Sequence, residues 1–269
     1  ASATDNMDSS VEVSSSGAVD TSILGKYIIT FTATDSAGNR STGDRLVTVV
    51  AVDIGVDAAK WFHQTVLPNG SAWFNGEQQH YTDRTDNSYV SDGTLKIVAL
   101  KESFSDQGVT KNYTSARLNS KYSFTYGRIE VRAKLPSGVG TWPAVWLLGK
   151  NISETGAYRQ TQGYGDTPWP ACGEADLLEH WGSDQNYVSS STHTPSSFGN
   201  TVNVGGQYVG TASSEFHLYE LDWSAGQMVF SVDGAVHLTY APVVKDADTW
   251  PFDEPLYLLL NVAIEQSVS

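Results

Sequence analysis

The run Cys172-Gly173-Glu174-Ala175-Asp176-Leu177-Leu178-Glu179-His180 gathers three carboxylates among apolar neighbours. It predicts a strand, along which successive side chains alternate between faces. Glu174 and Asp176 then share one face, while Ala175 and Leu177 point into the opposite, apolar layer. Strict alternation would place Glu179 on that apolar side, where a lone carboxylate is costly. A one-residue bulge around Leu177-Leu178 resolves the conflict and returns Glu179 to the polar face. Three carboxylates crowded on one face repel one another, and stability alone gives no reason to gather them. Glycoside hydrolysis does: it needs one ionised and one protonated carboxyl flanking the scissile bond, ~5–5.5 Å apart when configuration is retained. Mutual repulsion helps by raising one pKa, so that a carboxylic acid persists near neutral pH. On spacing alone, two other readings stay open: a calcium site built from acidic oxygens, and a solvated acidic face. Calcium loops, however, intersperse Gly, Asn and backbone carbonyls along a loop, not a strand flanked by Leu-Leu.

The elements around this run read as all-β. The chain has 269 residues, 40% of them apolar, with 8 Trp and 13 Tyr, enough for one large domain or one plus a small module. Period-2 alternation predicts strands at 94–100, 127–134, 144–148, 174–179, 216–223, 227–233 and 256–263. Turn signals such as Pro68-Asn69-Gly70 and Asp233-Gly234 separate them, the pattern of a sandwich or jelly roll. Strands at 27–33 and 45–52, joined through the turn residues 34–39, form a separate hairpin. The texture changes after Asp53, which predicts a module over 1–52 and a main domain over 53–269.

Composition excludes several classes. Sixteen Lys+Arg against 30 Asp+Glu give a net charge of -14, a poor match to phosphate backbones or anionic lipid. No nucleic-acid or membrane partner is expected, and no stretch approaches about 18 consecutive apolar residues. The single cysteine, Cys172, excludes an intrachain disulfide and a Cys-based zinc site. No charged-then-apolar leader opens the chain, so the sequence reads as a mature form or a fragment.

Glu174-x-Asp176-x-x-Glu179 resembles the signature of glycoside hydrolase family 16, in the bulged form that its laminarinases carry. The resemblance extends through YTSARLNSKYSFTYGRIEVRAKLPSGVGTWPAVWLLG (Tyr113–Gly149), NGEQQHYTDRTDNSYVSDGTLKI (Asn75–Ile97), STHTPSSFG and FHLYELDWSAGQMVFSVDG, roughly 60 to 265. It implies a β-jelly roll with a concave sugar-binding cleft. It further implies Glu174 as nucleophile, Glu179 as general acid and then base, and Asp176 as the group that hydrogen-bonds the nucleophile. Trp142 and Trp146, four residues apart, share a strand face and would stack on pyranose rings; two core tryptophans are the alternative. Trp181 stands between cleft wall and packing. The resemblance places His193 facing the carboxylates and puts Arg117 and Asn87 on the cleft wall, against the plainer readings of a structural histidine, a surface ion pair and a turn residue. The hairpin at the N-terminus resembles the C-terminal part of a bacterial immunoglobulin-like module, of which about fifty residues are present where about 100 are usual.

Departures from the family pattern are specific. The chain stops at Ser269, where relatives continue into a last strand, so the main domain is expected to lack that strand. Many relatives carry a structural calcium with ligands in that segment; calcium is therefore doubtful here, and no cofactor is implied for catalysis. Ala175 stands where Ile is usual. The function implied is a secreted, extracellular, monomeric endo-β-1,3-glucanase acting on laminarin-like β-glucan. Alternatives are a β-agarase, a mixed-linkage β-glucanase or a non-catalytic β-glucan-binding module. A sulfated galactan would need a basic cleft, which this charge balance opposes.

Overall fold

Period-2 patterning governs almost every element of the computed structural model, which describes residues 2–4, 6, 11–23, 25–49 and 55–266. The chain falls into two compact units, the first made of 1–53 together with 91–93 and the second of the remainder. In the first, β1 (Glu12–Ser16), β2 (Gly25–Thr34) and β3 (Arg40–Val49) form an antiparallel sheet in the order β1-β2-β3. The hairpin turn falls where its residues predict: the Asp35 carboxylate accepts hydrogen bonds from the Asn39 backbone N–H (2.7 Å) and side-chain amide (2.6 Å). Gly38, at φ +86°, takes the left-handed position. This tight closure starts β3 at Arg40, earlier than the predicted 45; residues 50–52 of that predicted strand lie outside the described residues.

The second unit continues with β4 (Trp61–His63), β5 (Gln79–Tyr81), β6 (Ser88–Ser91), β7 (Thr94–Ile97), β8 (Leu100–Asp106), β9 (Val109–Ser115), β10 (Arg117–Phe124), β11 (Gly127–Ala133) and β12 (Thr141–Gly149). A long connection holding the one-turn helix α1 (Tyr158–Thr161) leads to β13 (Glu174–His180) and β14 (Tyr187–His193). The last strands are β15 (Val204–Tyr208), β16 (His217–Trp223), β17 (Met228–Val232), β18 (Ala235–Tyr240) and β19 (Leu256–Ile264). Seven of them form one sheet, β15-β14-β13-β12-β19-β10-β4, which packs on the four-stranded sheet β11-β16-β17-β18. Between these layers lies the core, with Leu147, Ala175, Leu177 and Val188 from the first meeting Tyr219, Leu221, Phe230 and Val232 from the second. This is the jelly-roll sandwich that the alternation predicts. No helix among the described residues is long and apolar enough to cross a membrane.

Two local devices position the site. The connection between β12 and β13 leaves and returns at one point, where Gly149 N–H donates to Gly173 O at 3.0 Å. A Cβ on Gly149 would lie 2.1 Å from Cys172 O, so only glycine permits that approach. The second device is the bulge in β13. Asp176 pairs with Ser191 and Glu179 with Ser189, three residues against two. Against β12, Trp146 pairs with Asp176 and Val145 with Leu178. The predicted extra residue therefore sits at Leu177-Leu178, and both leucines are buried.

Candidate active site

Because of the bulge, Glu174, Asp176 and Glu179 all line one cavity of about 340 Å³ on the face of the seven-stranded sheet away from the core. Its floor follows the strand register. One row runs across four strands, from Glu179 on β13 through Ala144 on β12 and Asn261 on β19 to Arg117 on β10. Ala144, the smallest member, leaves the space above it open. Trp142 and Trp146 flank it on the same face, as their spacing predicts, and both line the cavity. The Trp142 indole N–H donates to Glu179 Oε1 at 3.1 Å, and its ring stacks on Trp181 (centroids 5.7 Å apart, planes at 22°). Trp181 thus acts on the cleft through Trp142.

Electrostatics favour a retained proton. Burial, then the charge on Asp176, pushes Glu179 up to about 8, partly offset by the Trp142 hydrogen bond. Glu174 is also raised well above the carboxylate range, by burial first and then by Asp176 and Glu179, with the Arg117 charge opposing. Repulsion was the cause anticipated from sequence; burial is the larger one. With one proton on Glu179, one of the three repulsions acting on Glu174, from Asp176, Glu179 and Glu154, disappears.

His193, paired with Glu174 across the β13–β14 ladder, sets Asp176. Its Nδ1 accepts the Gly199 backbone N–H at 3.1 Å, so the neutral ring carries its proton on Nε2. That Nε2–H lies 3.1 Å from Asp176 Oδ2 and 3.7 Å from Glu174 Oε1. Ser191 Oγ donates to the same Asp176 oxygen at 2.5 Å. One ligand atom from each of Glu174, Asp176 and His193 would lie within 4.8 Å of the others, a possible metal triad among the described residues. The hydrogen bonding does not fit that use. A metal on Nε2 would require a proton on Nδ1, facing the Gly199 N–H donor. Nor is a histidine-containing group an oxygen cage for calcium.

Arg117 is buried and lines the cavity, but as part of an ion pair, not as a free cleft-wall donor. Its Nη2 donates to both Glu154 carboxylate oxygens (2.9 and 3.2 Å), and its guanidinium lies over the rings of Trp146 and Trp73 (4.8 and 5.3 Å). Asn87 is a correction. It is fully buried and absent from the cavity lining. Its amide donates to Val98 O and to Thr114 Oγ1, both at 3.0 Å, and its oxygen accepts from Thr82 and Arg84. Its own N–H and C=O are tied up as well, with Val98 N–H donating to Asn87 O. This clamp breaks the predicted strand 94–100 into β7 and β8, so Asn87 is an internal fastener.

Sequence reasoning missed Glu77, Glu154, Trp169 and Asn261, all of which line the cavity. Trp146 N–H donates to Asn261 Oδ1 (2.8 Å), Asn261 to Tyr81 OH (3.1 Å), and Tyr81 to Glu77 Oε2 (2.9 Å). This relay fixes the Trp146 ring. Asn261 had a signal: it is the lone polar residue in the run Leu256–Ile264.

Comparison with known proteins agrees with this geometry. The family described as Glycosyl hydrolases family 16 matches residues 75–264, and that described as Bacterial surface protein, Ig-like domain, matches 1–49. A β-glucanase from Rhodothermus marinus is 37% identical over 218 residues, 77% of this chain and 70% of that protein. The crystal structure of LamAcat from Zobellia galactanivorans superposes with a TM-score of 0.71 at 46% identity, covering 79% of this chain and 84% of the other. LamA from the same organism, in complex with laminaritriose and laminaritetraose, gives a TM-score of 0.72 at 45% identity, over 80% and 85% of the two chains.

Proposed function

The chain belongs to glycosyl hydrolase family 16 and is a glycoside hydrolase, and from that premise we propose that it is a secreted, endo-acting β-1,3-glucanase that cleaves laminarin-like glucans with retention of configuration. The observation that carries the reading is the carboxylate row itself, Glu174, Asp176 and Glu179 turned into one tryptophan-flanked cavity by a bulge. The similarity to laminarinases supports the choice of β-1,3-glucan.

In the proposed cycle, the Glu174 carboxylate attacks the anomeric carbon as the glycosidic C–O bond breaks. Glu179, protonated at neutral pH, gives its proton to the departing oxygen. The resulting glycosyl ester on Glu174 is then hydrolysed. Glu179, now a carboxylate, takes a proton from water as that water attacks the anomeric carbon and frees Glu174. Asp176, held by His193 and Ser191, orients its neighbour Glu174. Trp142 and Trp146 offer flat apolar faces to the sugars. Secretion is supported by the substrate class, since a long polysaccharide must be met outside the cell, and by the likeness of residues 1–49 to bacterial surface proteins.

The test is reducing-end release from laminarin, with lichenan and agarose in parallel and Glu174→Gln as the blank. Laminarin turnover that disappears in the variant is the expected result. Turnover of agarose or lichenan alone would move the substrate assignment. A folded protein that binds laminarin without cutting it would replace hydrolysis with recognition.

A further inference from the structure

We propose that Ser190 and His237 are positioning residues for Glu179: together they hold the peptide plane of the β13 bulge that turns this carboxyl into the cleft. This rests on the general-acid reading of Glu179 above and deepens it. Leu177 is the extra residue of the bulge, since it alone in β13 has no register partner on either β12 or β14. Glu174 and Asp176, ahead of it, are paired on both sides. Of the three carboxylates, Glu179 is therefore the one whose aim depends on how the bulge is held. A bulge leaves its extra residue outside the ladder, and a buried carbonyl there needs another donor. Ser190 supplies it. It is the buried β14 residue opposite the bulge, between Ser189 and Ser191, and its Oγ donates to Leu177 O at 2.7 Å.

A hydroxyl has one hydrogen and rotates, so a donor aimed at its oxygen fixes where that hydrogen points. His237 is placed for this. Its Nε2 lies 2.8 Å from Ser190 Oγ, and with the hydroxyl hydrogen on Leu177 O the ring nitrogen is the donor. His237 comes from the other sheet, and two features bring it there. In the β17–β18 ladder Phe230 pairs with Leu238 and Ser231 with Val236, so His237 is itself the extra residue of a second bulge. Ser190 pairs with Gly205 on β15, and a Cβ on Gly205 would lie 2.4 Å from His237 O. Glycine at that point lets β18 come close enough for the ring to reach the serine. Neither Ser190 nor His237 lines the cavity, so each acts on the substrate only through the bulge.

The experiment compares kcat/KM on a β-1,3-linked glucose oligosaccharide with kcat/KM on a dinitrophenyl glycoside of the same sugar. A dinitrophenolate departs without a proton, so forming the glycosyl ester on Glu174 needs no general acid with that substrate. Glu179→Gln is the reference: it should lose activity on the oligosaccharide and keep most of it on the aryl glycoside. Ser190→Ala leaves the Leu177 carbonyl unpaired, and is expected to lose about tenfold on the oligosaccharide and no more than about twofold on the aryl glycoside. His237→Leu should show the same selectivity, and His237→Gln, which keeps an N–H donor, should recover part of the loss. Thermal melting checks that the variants are folded; if the alanine variant is not, Ser190→Cys keeps the size with only a weak donor and serves the same comparison. Equal losses on the two substrates, or none on either, overturn the positioning role. If Glu179→Gln itself loses both activities equally, the general-acid reading fails, and the positioning role with it.

Discussion

Trp142 Nε1 lies 3.1 Å from Glu179 Oε1, which makes a cleft-lining indole the hydrogen-bond donor to the proposed general acid. A donor stabilises the charged carboxylate, so this bond holds the Glu179 pKa below what burial alone would produce. Trp142→Phe keeps a ring and removes the donor. The alkaline limb of kcat/KM, which reports loss of the acid's proton in the free enzyme, is expected to move to higher pH. The pH profile of the variant measures it. An alkaline limb that stays put or moves down would show that the bond does not tune the acid.

The raised Glu179 pKa also makes a stability statement. In the folded state the group keeps its proton up to about pH 8, whereas in the unfolded chain it loses it near the ordinary carboxylate value of about 4.3. Between these limits the folded state binds more protons, so stability falls as pH rises. Glu179→Gln removes that liability and relieves Glu174 of one repulsive neighbour. The variant is expected to melt several degrees above wild type at pH 9, with the difference shrinking toward pH 5. Melting curves across that range decide it; a difference independent of pH would mean that the carboxyl carries no such penalty.

The carboxylate strand was legible because its alternation contains its own contradiction: Glu179 falls on the wrong face unless the strand is bulged, and the bulge lies at Leu177-Leu178. The strand at 127–134 was legible because apolar and polar residues alternate along it, and that at 256–263 as an apolar run, whereas β14, β15 and β18 were not among the predicted strands. Asn87 was misread because sequence likeness locates a residue along the chain but not its side chain's partners; the Val98 backbone captures it. Glu154 was invisible for a related reason. It sits in the connection between β12 and β13 with no periodicity around it, and acquires meaning only when Arg117 arrives from β10.

That ion pair is buried, with side-chain exposures of 3% for Arg117 and 7% for Glu154, and Gln64 Nε2 also donates to Glu154 Oε1 at 2.5 Å. Removing one partner leaves an uncompensated charge in a dry site, which costs roughly 3–5 kcal/mol. Glu154→Gln is expected to lose stability on that scale. Arg117→Met combined with Glu154→Gln should lose less than the two single variants added together. Denaturant unfolding of all three variants supplies the cycle. Simple additivity would mean that the two groups do not depend on each other.

His193 touches Asp176, not open solvent, and its tautomer is set from behind by Gly199. Its expected role is therefore to orient Asp176, with the sugar feeling it only through that carboxylate. A hydrogen bond to a charged group is worth about 1.5–3 kcal/mol, or roughly 10–100-fold in rate when its effect falls on the transition state. His193→Phe should lower kcat by that factor with KM little changed, and His193→Gln, whose amide N–H can donate in place of Nε2–H, should recover part of the loss. The alternative role, direct contact with the glucan, makes the opposite split. Loss of that contact would raise KM and spare kcat, and glutamine would help only if it reached the sugar. Steady-state kinetics of both variants on laminarin separate the two, and a rise in KM alone would return His193 to the cleft wall.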